Sequence, residues 1–139
     1  MEESTMGNHT KLTHWKQMVP VSCWLFVLGV AEFAVQYVDQ FNAKSIETWV
    51  YAKNREACFY DFAEPTKAVL EFYSSYVGPF AYEKLANIQC ASVNGGMETS
   101  SAIFYGEDLV NGKRDLRTRE VVIHEIAHQW FGNAVTEST

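Results

Sequence analysis

Near the end of the chain, His124-Glu125-Ile126-Ala127-His128 sets two imidazoles four residues apart with a carboxylate beside the first. On a helix, positions i and i+4 share one face, so both rings can reach a single tetrahedral ion such as Zn2+. Glu125 lies about 100° round from His124, too offset to join them as a third ligand in the same plane. It is well placed to take a proton from a water beside the metal. The chemistry implied is zinc-assisted amide hydrolysis, with Glu125 as general base carrying the proton to the leaving nitrogen. A helix holding this set by coincidence is expected in well under ~1% of chains this long.

Spacing separates the classes that use H-E-x-x-H. One class needs a glycine and a third histidine three and six residues after His128, where this chain has Phe131 and Ala134, so that class is excluded. The other takes a glutamate from a later helix. Glu137 is the one carboxylate after His128 in this sequence, and its place just past a helix stop favours a solvated role over ligation.

The ligand helix is expected from Asp115 to about Phe131, with Gly132-Asn133 as its stop and Val121, Ile123, Ala127, Trp130 and Phe131 as apolar anchors. Asp115 suits the positive helix N-terminus. Upstream, Pro65 opens a second helix carrying Val69, Leu70, Phe72, Tyr73, Tyr76 and Val77, which Gly78 ends. Strands are expected at 45–51, with Ile46, Trp49 and Tyr51 facing the core, at 85–93 and at 102–105, with Gly95-Gly96 between the last two. Tyr105, Trp130 and the Phe72/Tyr73 pair read as core residues. Residues 1–43 read as strands and turns. Cys23 to Val30 is apolar throughout, as in a strand buried on both faces, and Val35, Tyr37 and Phe41 alternate with polar neighbours. The mixture gives an α+β class, with the tail of a β-rich domain over 1–43 and a second domain over 44–139.

Bulk properties exclude some functions. The net charge of −6 gives no basic footprint, so nucleic acid and anionic membranes are not expected partners. The acidic, polar start lacks the features of a signal peptide, and Ser22 and Glu32 interrupt Val21–Ala34, too short a run to span a bilayer. Compartment stays open. Cys23, Cys58 and Cys90 form no C-x-x-C pair and read as reduced, mostly buried thiols.

The run HEIAHQWFGNAVT, His124 to Thr136, resembles the gluzincin aminopeptidases, the family of alanyl aminopeptidase and leukotriene hydrolase. That family reads H-E-x-x-H-x-W-x-G-N-x-V-T, matched at Trp130, Gly132, Asn133, Val135 and Thr136. A second motif, Gly95-Gly96-Met97-Glu98-Thr99, is similar to the family's G-x-M-E-N loop, and Ala102–Tyr105 and Gly29–Phe33 also fit. The resemblance implies the first half of a thermolysin-like catalytic domain with mixed sheet and active-site helix. It also implies one Zn2+ per complete site, and a peptide substrate with a free N-terminus lying as an added strand against the loop. By it, Gly95, Gly96, Met97 and Glu98 contact substrate, and Glu98 binds the α-ammonium, setting the cut one residue in.

Two departures follow. Thr99 stands where the family has asparagine, so a loop-propping amide is replaced by a hydroxyl. The family's third ligand, a glutamate after a gap of about eighteen residues, falls roughly eight past Thr139. The expected protein is therefore a zinc aminopeptidase represented by a fragment that lacks one ligand and needs the remainder of the catalytic domain. Its rivals are a non-catalytic metal-binding fragment, suggested by the absent ligand, and an endopeptidase of the same fold, disfavoured by Glu98.

Overall fold

The computed structural model describes residues 2–8 and 10–135; Thr136 and Glu137, which entered the motif and ligand readings, lie outside the described residues. The chain is mixed α+β. A separate hairpin, β1 (Glu2–Met6) and β2 (Thr10–His14), precedes a five-stranded sheet. That sheet contains β3 (Phe33–Phe41), β4 (Lys44–Tyr51), β5 (Lys84–Cys90), β6 (Gly96–Met97) and β7 (Ala102–Gly106), in the order β3-β4-β5-β7-β6. β4, β5 and β7 run parallel, while β3 and β6 pair antiparallel at the two edges. Two helices, α1 (Glu64–Tyr76) and α2 (Leu116–Ala127), contribute to the core against this sheet.

Register explains which face is covered. Ile46 pairs with Leu85, Thr48 with Asn87 and Asn87 with Ile103, so these side chains line one face with Val50, Gln89 and Tyr105. That face is buried with Val69 and Leu70 of α1 and Val122 and Ile126 of α2. Its polar members are partly paired: Asn87 Nδ2 donates to Thr66 Oγ1 at 3.0 Å, though Asn87 Oδ1 has no partner among the described residues, and the Tyr51 amide donates to Gln89 Oε1 at 3.0 Å. Such pairing offsets the cost of burying amides. Trp49 and Tyr51, expected in this core, fall on the opposite face, where both rings pack on Phe33. The β4 core set is Ile46, Thr48 and Val50, because side chains alternate with period two.

Further expectations change. Cys23–Val30 is not a buried strand: Cys23–Leu25 forms a short 3-10 turn, Leu25 alone of these eight residues is buried, and Leu28 and Val30 are 82% and 87% exposed. Nor are the thiols mostly buried, since Cys23 is exposed, Cys58 buried and Cys90 between; all three are free. Val35 and Tyr37 of β3 point outward, whereas Phe41 packs on the core after a register shift between Tyr37 and Asp39. Phe72 is 54% exposed, while its neighbour Tyr73 packs on Trp130 with ring centroids 5.4 Å apart. The position 43/44, where the chain divided in the sequence reading, is the turn joining β3 to β4, two hydrogen-bonded neighbours.

The loop before α2 is held firmly. Asp61, buried in a π-turn (Phe59–Ala63) ahead of α1, accepts from the Asn111 and Gly112 amides at 2.7 and 2.6 Å. Asp115 then caps α2, its carboxylate accepting from the Thr118 amide at 2.8 Å. α2 stops at Ala127, four residues short of Phe131, because Gln129 and Trp130 switch to i→i−3 hydrogen bonds. Its buried stripe is Val122, Ile126 and Trp130; Ile123 and Phe131 face outward. Among the described residues no helix is long and apolar enough to cross a membrane.

Candidate active site

His124 and His128 project together from the end of α2. Their Nε2 atoms stand 3.1 Å apart, with the rings near perpendicular at 87°. His128 Nδ1 lies 3.0 Å from the Phe131 carbonyl oxygen. A carbonyl can only accept, so Nδ1 carries the proton and a neutral His128 presents an Nε2 lone pair. A carbonyl that fixes the tautomer in this way is the usual support for a ligating imidazole. Two nitrogens bound to tetrahedral zinc at ~2.05 Å would stand about 3.3 Å apart, close to the separation seen. The pair therefore fits a zinc ion. Among the described residues no group of three or more His, Cys, Asp or Glu could hold a metal, so the described residues offer the two imidazoles there.

Glu125 is only 5% exposed, and its Oε2 is buried without a hydrogen-bond partner among the described residues. Burial pushes its carboxyl up to about 7; the nearby Glu98 carboxylate adds to that rise and His128 opposes it. A buried carboxylate oxygen without a partner, one residue from His124, is chemically able to take a proton. Gly96 creates the room for it. A Cβ at residue 96 would fall 2.3 Å from Glu125 Cγ and 2.4 Å from Oε1. The spacing of the glycine loop and the ligand helix is thus a steric match between Gly96 and Glu125.

The structure brings the second motif to this helix. Gly95 has φ +79° and its carbonyl accepts from the Gly106 amide at 2.8 Å; Gly96 and Met97 then pair with Tyr105 and Phe104. Among the described residues β6 is the edge of the sheet. Glu98 is half-buried and close enough to Glu125 for its charge to be felt there. Thr99 is buried, and its hydroxyl donates to the Ala102 carbonyl, closing the turn after the loop with the Ala102 amide to Thr99 oxygen bond at 3.2 Å. The hydroxyl thereby props the loop from its own side.

Gln129, which the sequence left without a role, and Asn133, read there as part of a helix stop and of the motif, complete the arrangement. Gln129 Nε2 donates to the Glu98 carbonyl at 3.3 Å and its Oε1 accepts from the Ser101 amide at 2.9 Å. Asn133 Nδ2 donates to the same Glu98 carbonyl at 2.6 Å. The only available signal was two amides amid the apolar end of a helix, which does not name a partner. Tyr105, read as core, is fully buried, and its hydroxyl has no partner among the described residues. The neighbouring Glu125 charge and burial both push its phenol upward, burial the more.

A helix bearing His–Glu–His against the edge of a mixed sheet, with a glycine loop ending in a second glutamate, has the makings of a hydrolytic site. Residues 60–139 match the Peptidase family M1 domain. The chain is 29% identical to glutamyl aminopeptidase of Rattus norvegicus over 97% of its own length and 15% of that protein. It is also 29% identical to leukotriene A-4 hydrolase of Xenopus laevis, over 95% of this chain and 21% of the other. With probable aminopeptidase 1 of Saccharolobus solfataricus the identity is 33%, over 84% and 16%. The chain belongs to peptidase family M1, as the two motifs had suggested, and spans about a fifth or less of the length of these relatives.

Proposed function

We propose that this chain carries the base and two zinc ligands of a zinc-dependent aminopeptidase that removes N-terminal residues from peptides. The observation that carries the reading is the convergence of the His124 and His128 Nε2 atoms at 3.1 Å beside the buried, unpaired Oε2 of Glu125. His124 and His128 hold the ion. When bound, zinc supplies Lewis-acid polarisation of the scissile carbonyl and makes water a stronger acid. Glu125 accepts the proton of the attacking water and passes it to the leaving amine, a task suited to a carboxyl near neutrality. Glu98 pairs with the substrate α-ammonium and β6 aligns the peptide backbone along the sheet edge.

Membership of family M1 and the aminopeptidase names of the relatives support this reading. Under it, residues 44–139 form the first part of a thermolysin-like catalytic domain and residues 1–43 the end of a β-rich one. Glu98 argues against an endopeptidase, because a fixed carboxylate at the cleft end favours a charged chain terminus. A third ligand is then drawn from outside the described residues.

Zinc titration by calorimetry tests the core of the proposal. His124→Ala and His128→Ala should each weaken binding by at least about tenfold, and Glu125→Gln should leave it within a few-fold. In a form extended to the relatives' length, Glu125→Gln should lower turnover of aminoacyl-p-nitroanilides by roughly 10²–10⁴. Zinc bound equally by His128→Ala, or turnover surviving Glu125→Gln, would overturn it.

A further inference from the structure

We infer that Gln129 and Asn133 are positioning residues, whose side-chain amides grip the Glu98 carbonyl and so set where the Glu98 carboxylate stands relative to the His–Glu–His helix. The inference rests on the reading of Glu98 as the α-amine anchor. Three features carry it. First, both amides converge on one backbone oxygen, at 3.3 and 2.6 Å, and Gln129 also takes the Ser101 amide at 2.9 Å. The loop is therefore held on both sides of Thr99 by the helix end that presents His128. Second, the chain reverses to make this possible. Gly132 has φ +114°, and the Asn133 amide bonds the His128 carbonyl at 3.1 Å, so Asn133 returns beside the ligand instead of running on. Third, Gln129 and Asn133 are each about 1% exposed, which fixes their rotamers by packing.

The tie has a clear purpose in the geometry. The loop enters through two glycines and leaves through Ser101 at φ +63°; its own ties, the β6 pairing, the Gly95–Gly106 bond and the Thr99–Ala102 turn, hold its two ends and leave the position of Glu98 to the amides. It also brings two carboxylates, Glu98 and Glu125, near each other, and like charges push apart unless something opposes them. The amide grip opposes that push through the main chain, leaving the Glu98 carboxylate free for a ligand. The separation between amine anchor and ligand pair is what makes a site remove one residue instead of cutting internally.

Peptide binding to the metal-free chain, followed by NMR titration, tests the inference without catalysis. The probes are dialanine amide and its N-acetyl counterpart. Wild type should bind the free amine about tenfold tighter or more, the size of a hydrogen bond between charged groups, and Glu98→Gln should abolish that preference. No preference in wild type, or one that survives Glu98→Gln, would refute Glu98 as anchor and the inference with it. Given a wild-type preference that Glu98→Gln removes, the similar-sized apolar variants Gln129→Met and Asn133→Leu, which lose the donating N–H groups without adding a charge, should bring the ratio below about threefold. Affinity for zinc in the same variants should stay within about twofold, because the ligand pair keeps its own support from the Phe131 carbonyl. A merely structural role would weaken both peptides and zinc together. The inference is overturned if a folded variant keeps the wild-type ratio, or if both variants unfold, since the amides would then be a tie of the fold alone.

Discussion

Two apolar stretches of this chain meet opposite fates. Ala102–Gly106 is the strand β7, with β5 on one side, β6 on the other and Ile103 and Tyr105 buried in the core. Cys23–Val30 is more apolar still, yet it pairs with no strand among the described residues and leaves Trp24, Phe26, Val27, Leu28 and Val30 exposed. Hydrophobicity is a capacity for burial, and partners decide whether it is used. The half that supplies partners is also the half that holds the candidate site. There the glycine loop is tied to the ligand helix by Gly96 against Glu125 and by the amide grip on Glu98, while Trp130 Nε1 donates to the Gly78 carbonyl, just past α1, at 2.9 Å.

The contrast is broken most directly by deleting equal side chains in the two regions. Ile126→Ala, in the wholly buried stripe of α2, should cost about 2–5 kcal/mol of unfolding free energy. Leu28→Ala should stay within about 0.5 kcal/mol, as for an exposed side chain with no special role. Urea denaturation of both measures the difference, and similar losses would show that residues 23–30 are as well packed as the site.

A second substitution sharpens the comparison inside the site half. Gly96→Ala should cost about 1–3 kcal/mol, because the new methyl takes the space of the Glu125 side chain. The same change at Gly7, where a Cβ meets nothing within 4 Å, should not destabilise. Thermal melts of the two variants decide it.

The smallest effect belongs to the helix cap. The Thr118 amide, first, and Asn111 hold the Asp115 carboxyl below its usual range. A folded-state value below the unfolded one means the cap stabilises fully above about pH 4 and fades as pH falls through the lowered value. Asp115→Asn should lower Tm slightly at pH 7, and the gap from wild type should close in acid. A gap that widened as pH fell would contradict the assignment.

Much of the site half was legible in the residues. Histidines at i and i+4 with an adjacent carboxylate define a helix face whatever the surrounding fold; Pro65, with φ already fixed for a first turn, and Gly78, at φ +143°, marked the ends of α1, and Asp115 marked the start of α2. The errors lie where one element's face depends on another. Trp49 and Tyr51 have high strand preference, but Ile46 paired with Leu85 set which parity of β4 met the helices. Phe72 has helical spacing with Val69, yet only Tyr73 lies where Trp130 can pack on it.

By itself, then, the sequence determined the chemical set, His124, Glu125 and His128, the helix that carries them, and a glycine loop ending in Glu98. These are local matters of residue type and spacing, governed by the 3.6-residue helical period and by which residues tolerate positive φ. Tertiary structure alone decided that Gly96 would be pressed against Glu125, that Gln129 and Asn133 would share one carbonyl, and that Cys23–Val30 would stay uncovered. Each of those joins residues from 29 to 35 positions apart or concerns a stretch that no described element covers. The strength of such contacts comes from shape and desolvation, which exist only once the surfaces meet.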